Sequence, residues 1–183
     1  EVPTSYNIYR STSDTGLTEG EEPPANPQRS GITTLEFDDT PHPDGVYYYA
    51  AASVDAAVNV STLSNVELAL SDSLPPTAAI TLPGKTPPLG AGSYRVNVAV
   101  SEVLSDTPYL IFTAFGGQPV QLPLETSTLN VWAGTLTVTQ AMPSGTGYFS
   151  FQGIDLTGNA GNTITAGSAL GLQTEGPVAT ISF

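Results

Sequence analysis

Twice in this chain an aromatic run of period two breaks into an Asp-x-x-x-Asn turn. That repeat restricts the fold more than any other feature. The later copy runs Gly147-Tyr-Phe-Ser-Phe-Gln-Gly-Ile-Asp155-Leu-Thr-Gly-Asn159-Ala-Gly-Asn162, with Tyr148, Ser150, Gln152 and Ile154 alternating against Phe149, Phe151 and Gly153. Such alternation suits a pleated strand with one buried face. Asp155 and Asn159 can hydrogen-bond their own backbone, and Gly158 tolerates positive φ, so the strand is expected to turn there. Residues 162–165 are the expected return strand. The earlier copy is Tyr47-Tyr-Tyr-Ala-Ala-Ala-Ser-Val-Asp55-Ala-Ala-Val-Asn59. Two hairpins of one design, roughly a hundred residues apart, predict two modules in series.

The rest of the composition fits an all-β chain of antiparallel β-sandwiches. Its 183 residues suffice for one large domain or two small ones. Sixteen Pro and 18 Gly fall between patterned segments and mark turns. No long helical periodicity exists, and the Ala-rich piece at residues 50–57 is flanked by β-favouring Tyr and Val.

Seventeen acidic against four basic residues give a net charge of −13. A chain this acidic repels phosphate backbones and anionic membrane surfaces, so nucleic acid is not an expected partner. The acidity suits solubility or divalent cations. There is no Cys, which excludes disulfides and thiolate metal sites. No run of about 18 apolar residues is present, so no membrane insertion is expected. Glu1-Val-Pro-Thr has no signal-peptide character.

In order, residues 4–10 alternate as a strand, and residues 11–31 form a long polar loop. Residues 32–37, 46–54 and 65–70 are the next expected strands, with the Pro-rich turn Asp38-Asp-Thr-Pro-His-Pro-Asp-Gly45 between the first two. Four motifs carry a resemblance: Tyr6-Asn-Ile-Tyr-Arg-Ser-Thr-Ser13, Asp44-Gly-Val-Tyr-Tyr-Tyr49, Ala52-Ser-Val-Asp55 and Ser61-Thr-Leu-Ser-Asn65. On them, residues 1–72 resemble a fibronectin type III module of bacterial surface proteins. The resemblance implies a tyrosine corner near Tyr47 and Tyr49, where a phenol ties down a loop. Val58 stands where that family has Gly, so a differently shaped turn is expected. The family's first two strands should lie well ahead of Tyr6, yet only five residues precede it. A module lacking two strands would expose apolar core and open strand edges.

Residues 73–77 form a linker stiffened by Pro75-Pro76. Residues 78–82, 93–101, 109–114, 120–124, 129–139, 148–155 and 162–172 are seven further expected strands. This second half is similar to the Ig-like repeats of large bacterial adhesins. The resemblance rests on Gly92-Ser-Tyr-Arg-Val-Asn-Val-Ala-Val-Ser-Glu102, Thr107-Pro-Tyr-Leu110, Gly134-Thr-Leu-Thr-Val138 and Asp155-Leu-Thr-Gly-Asn159. The expected organisation is therefore two Ig-like or fibronectin type III-like sandwiches in series, over residues 1–72 and 78–174. Residues 175–183 follow as a spare strand, because Pro177-Val-Ala-Thr-Ile-Ser-Phe183 repeats Pro76-Thr-Ala-Ala-Ile-Thr-Leu82.

Catalytic chemistry is not expected. His42, the one histidine, sits between two prolines in a turn, and the scattered acids select no pair. Calcium is the expected cation, since hard Ca²⁺ takes carboxylate, amide and carbonyl oxygens. Its candidate ligands are Asp72, Glu102, Asp155 and Asn159, with Glu175 at a second junction, although an Asp-x-x-Gly-Asn turn also forms without metal. Asn59-Val-Ser61 is an N-glycosylation sequon. Trp132, Tyr109 and Tyr148 are the aromatics that could stack on sugar, Trp132 being expected in the core or at an edge instead.

These features lead to an expectation of a non-enzymatic extracellular or cell-surface module, in a stalk, adhesin or surface fibre. One alternative is a self-assembling filament subunit. Its C-terminal strand would use Val178, Ala179, Ile181 and Phe183 to complete the N-terminal sandwich of the next copy, head to tail. Another is a carbohydrate-binding accessory module of a secreted enzyme, which requires exposed aromatics.

Overall fold

The computed structural model describes residues 2–40, 43–177 and 179–181. The protein is all-β, with no helix among the described residues. It divides into two compact units, Glu1–Ser73 and Leu74–Phe183.

The first unit holds β1 (Ser5–Ser11), β2 (Arg29–Ile32), β3 (Gly45–Val54) and β4 (Glu67–Ser71). They form one antiparallel sheet in the order β2-β1-β3-β4. Tyr9 lies opposite Ala50 and Asn7 opposite Ala52, so these residues share a face. The short side chains of Ala50 and Ala52 leave room for loop residues. Leu17 and Leu63 fill it, and with Tyr9 they form a small buried cluster. Backbone bonds between Gly20 and Leu63 (3.0 Å) and between Leu63 and Glu21 (2.9 Å) hold the two loops together there. The long polar loop is thus anchored by one apolar residue, Leu17.

Asp39 and Pro43 serve the other face. Arg10, Tyr49 and Tyr47 project there, on positions one residue out of step with Tyr9 and Ala50. Asp39 accepts from Arg10 Nη1 (2.8 Å) and from the Tyr49 phenol (2.9 Å). Burial and the Asp39 carboxylate together push the Tyr49 pKa above its ordinary value. The Tyr47 phenol donates to the Pro43 carbonyl at 2.7 Å, tying down the loop before β3. Residues 33–37 are not a strand, although their alternation suggests one. β2 ends at Ile32, after Gly31 at φ 71°, and Leu35 is 94% exposed with nothing to pair against.

The second unit is a sandwich of two sheets. Its strands are β5 (Thr77–Thr81), β6 (Gly92–Val100), β7 (Tyr109–Thr113), β8 (Pro119–Leu122), β9 (Leu124–Thr128), β10 (Val131–Val138), β11 (Gly145–Ile154), β12 (Ala160–Gly161), β13 (Thr163–Ala166) and β14 (Ala169–Leu172). One sheet runs β13-β5-β6-β10-β9. The other runs β12-β11-β7-β8, with β14 also pairing β11. Val96, Val98, Leu136 and Val138 from the first sheet meet Leu110, Phe112, Phe149 and Phe151 from the second in one core. Each such side chain contributes roughly 1.5–3 kcal/mol by leaving water. This core is far larger than that of the first unit, so the second unit carries most of the burial energy of its own.

The last expected strand, residues 162–172, proves to be two pieces, β13 and β14, and the short β12 precedes them. β12 pairs with β11 over two residues only. β13 then crosses to lie parallel to β5, and β14 returns to β11. Gly167, at φ 75°, makes the bend between β13 and β14. β9 was absent from the expected strands, because Leu124-Glu-Thr-Ser-Thr128 has no apolar alternation. It exists because Pro123 ends β8 and the chain continues directly onto the opposite sheet, beside β10.

Candidate functional site

The two Asp-x-x-x-Asn loops have one geometry. In the second unit Asp155 Oδ1 accepts from the Thr157 N–H (2.8 Å), the Thr157 hydroxyl (2.9 Å) and the Asn159 N–H (2.9 Å). Asp155 Oδ2 accepts from the Asn159 side-chain amide at 2.8 Å. In the first unit Asp55 Oδ1 accepts from the N–H groups of Ala57 and Asn59, each at 2.8 Å, and Oδ2 from the Asn59 amide at 2.8 Å. In both loops the Asp N–H donates to the Asn carbonyl at 3.1 Å.

The fourth position of each loop has positive φ: 95° at Gly158 and 68° at Val58. The turn at Val58 is therefore not reshaped, contrary to the expectation from its missing glycine. The carboxylate bonds of Asp55 hold a β-branched residue in the left-handed region, which costs about 1–2 kcal/mol. Val58 is 77% exposed, so little packing is lost on removing its side chain. Val58→Gly is expected to stabilise the first unit by about 1 kcal/mol. Chemical denaturation of the two proteins, followed by circular dichroism, checks this; an unchanged or lower midpoint would contradict the strain at Val58.

Asp155 is only 2% exposed. Burial alone would raise its pKa. The hydrogen bonds from Asn159 and Thr157 override burial and bring it down from 3.8 to about 2. A depressed folded-state pKa contributes stability that is complete above about pH 4 and is lost as pH falls toward 2. The protein is thus expected to lose part of its stability in that window, and Asp155→Asn is expected to flatten the loss. Unfolding temperatures of both proteins at pH 7, 4 and 2 provide the measurement.

Of the expected calcium ligands, Glu102 and Asp155 belong to the second unit, and each offers an oxygen within 4.8 Å of the other. Leu104 forms a bridge to Asp155, which holds the Glu102 turn against the loop. The loop's own donors fill Asp155 Oδ1, leaving Oδ2 as the better-placed oxygen for a cation. Asn159 directs its amide nitrogen at Asp155 and acts there as a hydrogen-bond donor. Asp72 directly follows β4 in the first unit. Glu175 lies beyond β14, where its N–H donates to the Ser144 hydroxyl at 3.3 Å.

The sequon nitrogen, Asn59 Nδ2, is the one that bonds Asp55. A glycan there would replace one of the two hydrogens on the nitrogen that helps to close the loop. Ala179 and Ile181 of the expected strand donor lie outside any strand and are exposed, Ile181 at 79%. Val178, Phe183 and His42 lie outside the described residues.

Trp132 is half-buried against the core, as expected of a sandwich aromatic. Tyr109 and Tyr148 are 57% and 60% exposed. Tyr109 is opposite Gln152 and Tyr148 opposite Thr113, so both tyrosines lie on the outer face of the β7–β11 pair. A second tyrosine tether was not anticipated: the Tyr94 phenol donates to the Gly90 carbonyl at 2.9 Å, four residues upstream, as Tyr47 does to Pro43. Its signal is a tyrosine near a strand's start with a Gly/Pro turn before it. No family model matches this chain, and no curated protein matches it.

Proposed function

We propose that this chain is a non-enzymatic structural and adhesive segment of an extracellular repeat protein. The observation that carries the proposal is the same Asp-x-x-x-Asn loop, with the same bonds, in two separately cored β units. One loop design used twice is what an array of related modules produces. An antibody raised against the chain should label intact cells of the source organism, and mild protease treatment should remove the label. Labelling only after permeabilisation overturns the extracellular placement.

Calcium belongs to this proposal as a stabilising ion, with Glu102 and Asp155 as donors and Asn159 as the further expected one in the same unit. Carboxylate oxygens are the hard ligands that Ca²⁺ selects. Binding to the folded state raises the unfolding temperature by mass action. Equal unfolding temperatures in millimolar calcium and in chelator would remove calcium from the proposal, as would a rise that survives Glu102→Gln.

A second reading is self-assembly by strand addition. It is favoured by β4, a sheet edge whose Leu68 and Leu70 are 61% and 56% exposed, and by the exposed Ile181. Light scattering of the purified chain tests it. A mass fixed at 18.9 kDa at all concentrations rules it out, and assemblies that persist after deletion of residues 175–183 rule out that donor.

A further inference from the structure

We infer that the outer face of the β7–β11 pair is a binding site for an uncharged polysaccharide, resting on the extracellular placement proposed above. The site centres on a cleft of ≈ 460 Å³ lined by Asp106, Thr107, Tyr109, Gln152, Gly153 and Ile154. That volume is within the range of small-ligand sites, about 300–1,000 Å³.

The register builds the cleft. Tyr109 opens β7 and stands opposite Gln152 near the end of β11. Ile154, two residues further along β11, points the same way and is 44% exposed. Asp106 and Thr107 approach from the turn before β7. The result is an aromatic ring and an aliphatic side chain beside a carboxylate, an amide and a hydroxyl. A pyranose matches this set: its C–H face lies on an aromatic ring, and its in-plane hydroxyls pair with planar amide and carboxylate groups.

The rest of the face extends the match. Outward positions of β11 are Thr146, Tyr148, Ser150, Gln152 and Ile154, and those of β7 are Tyr109, Ile111 and Thr113. None is charged, in a chain with 21 charged residues (17 acidic plus 4 basic). Tyr148 lies four residues from Gln152, about 14 Å along the strand. A second aromatic at that distance suits an extended chain lying along β11 rather than a single sugar in the cleft. Asp106 and the net charge of −13 repel anionic glycans, and the outward strand positions carry no charge to pair with a charged sugar, so a neutral glycan suits the face best.

The test uses the whole chain with three neutral hexasaccharides, β-1,4-linked glucose, β-1,4-linked xylose and β-1,4-linked N-acetylglucosamine. A hexameric uronate and tetramethylammonium serve as controls. Calorimetry and tyrosine chemical shifts are the readouts. At least one neutral hexasaccharide is expected to bind and to shift Tyr109 and Tyr148. Tyr109→Ala should weaken that binding at least tenfold, and Tyr148→Ala several-fold, with unfolding temperatures unchanged because both rings are exposed. The site is overturned if none of the three binds, if Tyr109→Ala binds as well as the parent, or if only the uronate or the tetramethylammonium cation shifts Tyr109. Surface labelling of cells is independent of these outcomes, so failure of the site and failure of the extracellular placement are told apart.

Discussion

Gly167→Ala is expected to lower the unfolding temperature of the second unit by more than about 10 °C. Gly167 turns the chain out of β13 and into β14 at φ 75°. An L-residue there costs about 1–2 kcal/mol from backbone sterics alone. A Cβ at this position also runs into the Ile80 carbonyl oxygen on β5. That obstacle is backbone within a sheet and cannot rotate aside, which adds about 1–3 kcal/mol. Together the two effects remove a large share of the 5–15 kcal/mol that holds an ordinary domain folded. Gly158→Ala is the control. Gly158 also has positive φ, at 95°, but a Cβ there meets nothing within 4 Å, so it should cost only about 1 kcal/mol. Trp132, the one tryptophan, lies in the second unit and reports its unfolding by fluorescence. Equal losses for the two variants would mean that the contact with Ile80 yields.

Phe112→Ala should cost about 3–5 kcal/mol by the same fluorescence measurement. Phe112 is 1% exposed at the centre of the core, with its ring centroid 4.9 Å from that of Phe149. Its ring lies over Gly147 on β11, where a Cβ would overlap it. Gly147 is therefore the hollow that receives the ring. Gly147→Ala alone should destabilise by about 1–3 kcal/mol. The double variant should cost less than the sum of its parts, because removing the ring removes the main overlap. Additive losses would show that the ring and the hollow are not coupled. The Thr113 carbonyl also lies close to that hollow, so the double variant is not expected to recover fully.

The Asp-x-x-x-Asn loops were legible because their chemistry is local. The acceptor and its donors lie within four residues, and the turn follows from residue type alone. The alternating strands were legible for the same reason, since period two is a local pattern. Val58 marks the limit of that logic. Residue type argues against positive φ at a valine, but the Asp55 carboxylate, held by Asn59 and Ala57, decides the backbone instead.

Features that join distant segments were not legible. Arg10 and Asp39 meet across 29 positions, and neither shows its partner in the sequence. The transfer of the last strand between sheets was hidden because residues 162–172 keep a β-compatible pattern throughout. Only Gly167 hinted at the bend, and a glycine in a strand is equally consistent with a bulge. The exposed aromatic face was half visible. Period two placed Tyr148, Gln152 and Ile154 on one side of β11, but only the pairing of β7 with β11 brings Tyr109 and its cleft beside them.

The parallel contacts in the second unit have a mechanical consequence. β5 lies near the unit's beginning and β13 near its end, and they run side by side in the same direction. Leu89 likewise runs parallel to Leu172, its N–H donating to the Gly171 carbonyl at 2.9 Å and its carbonyl accepting from the Gln173 N–H at 2.8 Å. Tension applied at the two ends pulls such neighbours in opposite directions along their length. The bonds between them then bear load simultaneously, in shear, instead of opening one at a time like a zipper. The unit is built to resist stretching along its own chain far better than peeling from one edge.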